Sequence, residues 1–190
     1  YGQFLGQRYL NFSNIVWVAG GDRNPDSARP EMLAVIAGIR QFDTNKLWTA
    51  HNFPEFSAAD QYEGEPWLAL NTTYTYADTY VLCLSDYARA PTRPTFLFES
   101  HYENDFGGRD GDDTRRQAWW AVLSGSCGQV FGNRPIWLFD TGWSNALNSV
   151  GAQSETHLLA PQQSRPWERL VPETGAGLLI GGLGSGANHR

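Results

Sequence analysis

The sequence predicts an α/β fold in which parallel strands alternate with crossover helices: a TIM (β/α)8 barrel, of which only about strands 4 to 8 with their helices are present. Three observations predict it. Short apolar, β-branched and aromatic runs recur along the chain and read as buried parallel strands. Stretches of helical apolar periodicity follow them, which is the rhythm of a parallel sheet with helical crossovers. Two of the runs close on a carboxylate, Asp22 and Glu99, and the C-terminal rim of such a barrel is where chemistry is done. Five strands are visible in 190 residues, whereas a closed barrel takes about 250. The first three strands are therefore expected upstream or from another chain.

Residues 1–9 read as part of a helix and 14–22 as the first strand. Asp26 or Ser27 then caps a helix whose Met32, Val35, Ile36 and Ile39 follow i, i+3, i+4, i+7 and give one apolar face. A short second strand spans 46–51. Beyond it a stretch rich in Ser, Ala, Asp and Glu runs to Pro66, too polar and too broken for core, and is expected as a loop on the rim. The third strand is 67–76, a helix covers 78–89, and the two prolines of 90–94 make a stiff connection into the fourth strand, 95–99. Residues 104–113 are Gly- and Asp-rich and read as a loop. A helix over 114–126 is expected to face Trp119, Val122 and Leu123 inward, with Gly128 as its left-handed C-terminal cap. A fifth strand, about 129–139, ends at Asp140. After Asn145 the pattern is irregular, with a helical turn at 167–170 and a Gly-dense stretch at 175–186. Residues 1–175 are read as the barrel half, and 176–190 as the start of a following β domain or a tail.

A net charge of −6, with both signs scattered, argues against a nucleic-acid partner and fits a neutral substrate. No run of about 18 apolar residues is present, so no membrane-spanning helix is expected, and no basic-then-apolar leader opens the chain. Eight Trp and eight Tyr exceed what a core requires, because indole and phenol want polar partners when buried, and sugar-binding clefts use such rings. Cys83 and Cys127 lack metal-ligand spacing; both fall in segments read as helices, where buried thiols are favoured over a disulfide.

Hydrolysing a glycosidic bond needs one protonated carboxyl for the leaving oxygen and one ionised carboxylate at the anomeric carbon. Asp22 and Glu99 are candidates for that pair, because strands four and seven lie opposite each other across a barrel mouth. Two close carboxylates resist ionising together, so one keeps its proton for the acid role; Asp22 is the choice for it, and the reverse assignment stays open. Asp22 before Arg-Asn-Pro also reads as a helix cap. Substrate contacts are expected from strand-end residues: Arg23, His51, Asn52, Asn71, Tyr74, His101, Tyr102 and Trp137, with Asp140 nearby. Glu103 orients Arg23 or binds sugar, and Arg23 reads equally as a counter-ion. Paired carboxylates need no metal or cofactor, and none is expected.

Three motifs resemble the apiosidase-like proteins of glycoside hydrolase family 140. They are Asn14-Ile15-Val16-Trp17-Val18-Ala19-Gly20-Gly21-Asp22-Arg23-Asn24-Pro25; Arg93-Pro94 to Glu99 followed by Tyr102-Glu103; and Arg116-Gln117-Ala118-Trp119-Trp120 running on to Cys127-Gly128 and residues 132–137. The resemblance spans about residues 1–175. It implies a secreted or periplasmic (β/α)8 glycosidase with Asp22 as acid/base and Glu99 as nucleophile, acting on plant cell-wall pectin to release apiose or a related β-linked sugar, with retention favoured. A cellulase-like endoglycosidase on another glycan, or a carbohydrate-binding barrel fragment without catalysis, are the alternative readings.

Overall fold

The computed structural model describes residues 1–104 and 110–134. In chain order its elements are α1 (Gly2–Arg8), β1 (Trp17–Gly20), a 3-10 turn (Asp26–Ala28), α2 (Arg29–Arg40), β2 (Trp48–His51), β3 (Phe56–Ser57), α3 (Ala58–Tyr62), β4 (Asn71–Tyr74), α4 (Thr79–Tyr87), β5 (Thr95–Glu99) and α5 (Gly111–Leu123). The fold is mixed α/β. β1 and β2 run parallel, with Trp17 opposite Trp48 and Gly20 opposite His51. β4 and β5 also run parallel, with Asn71 opposite Thr95 and, across a bulge, Tyr74 opposite Glu99.

The two parallel pairs are stitched together where Leu70 N–H donates to the Trp48 carbonyl at 3.0 Å and the Thr72 hydroxyl donates to the Ala50 carbonyl. On the far edge of β5, Leu97 N–H donates to the Gly128 carbonyl at 3.0 Å and Val130 N–H to the Leu97 carbonyl at 2.8 Å. Successive parallel strands thus lie side by side in chain order, and the C-terminal residues His51, Tyr74 and Glu99 share one rim. Among the described residues, no helix is long and apolar enough to cross a membrane.

The larger core forms where α2 covers β1 and β2. Ile36 and Ile39 pack with Ala19, Trp48, Ala50, Tyr62 and Trp67, and the Trp17 and Trp48 rings stack at 5.6 Å. Each large side chain buried this way contributes about 1.5–3 kcal/mol. The apolar face expected of α2 is thus the one it buries, Met32 and Val35 flanking Ile36 and Ile39.

Several expectations are corrected. Residues 52–66 are not a polar rim loop: β3 pairs antiparallel with β4, and α3 buries Ala58, Ala59 and Tyr62. Ser57 and Asp60 form a capping box that starts this short helix. Asp26 and Ser27 lie in the 3-10 turn rather than capping α2, whose N-cap is Ala28. α5 begins earlier than expected, capped by Asp110, which accepts from the N–H groups of Asp112 and Asp113. It buries Thr114, Gln117, Ala118 and Ala121, leaving Val122 and Leu123 exposed: the two alanines let the helix sit close to its neighbours, and Gln117 is held inward by hydrogen bonds to Ser100 and His101. The left-handed residue after α5 is Gly125, with φ 96°, not Gly128. Cys83 is a buried free thiol in α4, whereas Cys127 is exposed and lies beyond α5. β1, β2 and β4 are shorter than expected; of the expected fifth strand, residues 129–134 form only isolated bridges at Gln129 and Asn133, and the rest of it, with everything after residue 134, lies outside the described residues.

Candidate active site

Asp22 reaches the rim by a backbone hook. Gly20, Gly21 and Asp22 have φ of 83°, 156° and 27°, and Gly21 N–H donates to the His51 carbonyl at 3.0 Å. A Cβ on Gly20 would collide with that carbonyl, so the close approach requires glycine. Asp22 itself carries the strain of left-handed backbone, of order 1–3 kcal/mol. Its side chain stands 73% exposed.

Glu99, at the end of β5, has the opposite environment, with a side chain only 11% exposed. His51 lies between the two carboxylates: Nε2 is 2.9 Å from Glu99 Oε2 and 3.5 Å from Asp22 Oδ1. At this distance the ring lowers the Glu99 carboxyl by hydrogen bonding and by charge, and the attraction is greatest when the ring is protonated. The ring is wedged against Tyr74 and Phe98, with centroids 5.0 and 4.8 Å away.

Phenols complete the surroundings of Glu99. The Tyr76 hydroxyl donates to Oε1 at 3.3 Å and shares a 2.8 Å hydrogen bond with the Tyr74 hydroxyl. Burial pushes the Glu99 carboxyl up, but the His51 ring, with the Tyr102 and Tyr74 hydroxyls, outweighs burial and holds it below the ordinary carboxylate value. Burial raises the phenols of Tyr74, Tyr76 and Tyr102, and the charge on Glu99 raises them further. They therefore stay protonated and available as donors. An ionised carboxylate ringed by donors beside a second, solvent-facing carboxyl can do nucleophilic and proton-transfer chemistry.

His101 also comes to this rim. Its Nε2 is 2.8 Å from the Tyr76 carbonyl, while Gln117 accepts its backbone N–H at 3.0 Å and also the Ser100 hydroxyl. Beside Tyr76 an open cleft is lined by Asp78, His101, Arg116, Gln117 and Trp120. Asp22, His51 and Glu99 are the grouping of described residues that could surround a metal ion, their donor atoms lying within 4.8 Å of one another. An ion there would take the same carboxylate oxygens that acid/base chemistry needs.

Not every expected residue joins them. Asn71 starts β4, at the end remote from Glu99, and its buried side chain accepts the Ala59 N–H at 2.8 Å, pinning α3. Asn52 is buried and donates to the Ser57 carbonyl at 2.8 Å. Arg23 is exposed with its guanidinium over the Phe53 ring, 5.8 Å from the centroid, while the Glu103 carboxylate faces Gly111 at the start of α5. Trp137 and Asp140 lie outside the described residues. Tyr76, Glu55 and Gln117 were not anticipated. Period-two alternation puts Tyr76 on the same face as Tyr74, a signal that could have found it.

Among solved structures that this chain resembles, one described as a glycoside hydrolase aligns with a TM-score of 0.66 and 28% identity, over 73% of this chain and 38% of its own. A glycoside hydrolase family 5 structure from Bacteroides vulgatus ATCC 8482 aligns with a TM-score of 0.65 and 28% identity, over 72% and 34% respectively. The chain thus spans roughly a third of the length of these structures. No curated protein matches it. The sequence model of the apiosidase-like catalytic domain matches residues 1–169, a span that takes in every strand and both rim carboxylates described above, and the chain belongs to that family.

Proposed function

We propose that this chain carries both catalytic carboxylates of a glycoside hydrolase that cleaves pectic polysaccharide of plant cell walls, releasing apiose or a related β-linked sugar with retention of configuration. One observation carries the reading: Asp22 and Glu99, far apart in sequence, converge on His51 with their nearest oxygens within 4.8 Å. That spacing supports retention, for which the carboxyl groups lie about 5–5.5 Å apart, over inversion at about 6.5–9.5 Å.

In this reading Glu99, buried and held ionised, attacks the anomeric carbon as Asp22 gives its proton to the departing oxygen. The glycosidic C–O bond breaks and a glycosyl ester of Glu99 forms. Asp22, now ionised, takes a proton from water, whose oxygen displaces Glu99 and completes hydrolysis. The His51 ring and the hydroxyls of Tyr102 and Tyr74, which outweigh the burial of Glu99, support its part as the ionised nucleophile. His51, Tyr74, His101 and Tyr102 surround the place where the reacting sugar would sit, and the cleft lined by Trp120 and Arg116 offers room for a neighbouring sugar. The pectic substrate and a secreted or periplasmic location are supported by the family alone.

β1, β2, β4 and β5 correspond in this proposal to barrel strands 4 to 7, with the segment from Gln129 as strand 8. Strands 1 to 3 would come from upstream or another chain. Support comes from β1, whose Val18, on the face opposite Ala19, is 40% exposed. The likeness to a family 5 glycoside hydrolase favours a second reading, the same machinery acting on another glycan.

Reducing-sugar release from pectic side-chain oligosaccharides by the full-length protein tests the proposal. Asp22→Ala and Glu99→Ala should each lower activity by about 10²–10⁴-fold without loss of fold. Activity untouched by either change would overturn the site, and inactivity of a folded wild type on pectic substrates would favour the second reading.

A further inference from the structure

We propose that Glu55 is a positioning residue for the catalytic carboxylate, holding the Tyr76 hydroxyl against Glu99; the proposal rests on Glu99 being the nucleophile. Glu55 stands immediately before β3, where pairing with β4 ends. Its N–H donates to the Tyr74 carbonyl at 2.8 Å. Its carboxylate grips the turn after β4 at two points: Oε2 accepts the Thr75 hydroxyl at 2.5 Å, and Oε1 accepts the Tyr76 N–H at 2.8 Å.

The grip extends on both sides. Thr75 Oγ1 accepts the Ala77 N–H at 3.0 Å, and Thr75 N–H donates to the Glu99 carbonyl at 3.1 Å. The turn is therefore tied to β5 on one side and to Glu55 on the other. What these bonds set is the place of the Tyr76 ring, whose hydroxyl reaches both Glu99 and Tyr74.

Two features separate Glu55 from an ordinary solvated loop carboxylate. Its φ is 67°, a conformation that residues with a Cβ adopt uncommonly and that persists only where neighbouring bonds over-determine it. It also accepts from two donors at once, one of them a backbone N–H just past the last β4 residue, and charge-assisted bonds of this kind are among the stronger ones. A neutral amide at position 55 removes the charge that strengthens both bonds and leaves one accepting oxygen, so the turn is held less firmly. The Tyr76 hydroxyl then drifts from Glu99, and the carboxylate loses a donor that favours its ionised form. The other titratable groups facing Glu99 are His51 from β2, Asp22 beyond β1, Tyr74 at the end of β4 and Tyr102 beyond β5.

The test uses the full-length protein and the variants Glu55→Gln, Tyr76→Phe and their combination, with pH profiles on pectic side-chain oligosaccharides and a carbon-13 NMR titration of the Glu99 carboxyl assigned through Glu99→Gln. Glu55→Gln should lower kcat about tenfold, as loss of a hydrogen bond to a charged group does, with KM changed less than twofold. It should move the acid limb and the Glu99 titration to higher pH, and the double variant should be no worse than Tyr76→Phe alone. Additive losses, or a less stable protein whose Glu99 titration is unmoved, would overturn the proposal. Should Glu55→Gln fold poorly, Thr75→Val removes one grip and is read in the same way. A shifted Glu99 titration in a protein inactive on pectic sugars would uphold the positioning role while overturning the substrate.

Discussion

His51 lies 2.9 Å from one carboxylate and 3.5 Å from the other, so its replacement reports on both. Burial raises the Glu99 carboxyl, and the His51 ring is the largest influence opposing it. Removing that ring leaves only the Tyr102 and Tyr74 hydroxyls against burial, and the Glu99 carboxyl moves up. If ionised Glu99 is the nucleophile, the acid limb of kcat/KM for His51→Ala moves to higher pH. Near pH 5 the variant should lose roughly tenfold relative to wild type, the value of one hydrogen bond to a charged group. Profiles of kcat/KM against pH check this, and an acid limb that stays in place would show that His51 does not bear on the nucleophile. The reach of Asp22 to the same point depends on Gly20, where any side chain meets the His51 carbonyl. Gly20→Ala should therefore displace Asp22 and cost about as much activity as Asp22→Ala, measured by the same reducing-sugar assay.

At the scale of elements, helices α1 and α2 cross on glycines. A Cβ on Gly6 would strike the Ile39 carbonyl, and one on Gly38 would press against Gln3 and Gly2 backbone atoms. Alanine in a helix interior gains about 0.5–1 kcal/mol over glycine. Forcing two packed backbones apart costs about 1–3 kcal/mol, so the clash wins at Gly6. Gly6→Ala should destabilise the protein by about 1 kcal/mol or more, read from denaturant midpoints, whereas a gain in stability would mean that the crossing relaxes freely. α5 uses the same principle with Ala118 and Ala121, which is why its larger Val122 and Leu123 face outward.

For the whole molecule, a buried ion pair ties the α2–β2 connection to β1. Asp43 is 2% exposed, accepts the Trp17 indole N–H at 3.0 Å, and pairs with Lys46 at 2.5 Å. Burial raises the Asp43 carboxyl, but Lys46 and Trp17 together hold it below the ordinary Asp value. Because the folded value is the lower one, the pair stabilises the fold fully above the ordinary Asp value. That contribution is lost as pH falls through the folded value, and Glu99 behaves alike. Asp43→Ala takes the carboxylate from Lys46, whose ammonium keeps the Leu10 carbonyl at 3.0 Å, and leaves the Trp17 indole N–H without its acceptor; it should cost about 1–3 kcal/mol. Thermal unfolding at neutral pH and near pH 3 checks both points: the variant should melt lower at neutral pH and lose less on acidification than wild type.

The alternation of strands and helices, the stripe buried by α2 and the two rim carboxylates were legible in the sequence, because each depends on neighbours within one element. α3 was not, since five residues are too few to display a helical period, and Ala58, Ala59 and Tyr62 declare themselves core only through what packs on them. The buried face of α5 was missed because it is made of small Ala118 and Ala121 and of polar Thr114 and Gln117, which are hydrogen-bonded inside rather than hydrophobic. Asn71 was assigned to the rim although β4 begins there, an error of strand bounds. By itself the sequence determined the mixed α/β class and the family, and it singled out Asp22 and Glu99 as carboxylates at the ends of apolar strands. Only the tertiary structure decided that His51 separates the pair, that Tyr76 rather than Asn71 attends Glu99, and that Glu55 grips the turn beneath it. Those meetings depend on register between strands distant in the chain and on the hook at Gly20 and Gly21, and neither is a local property of the residues involved.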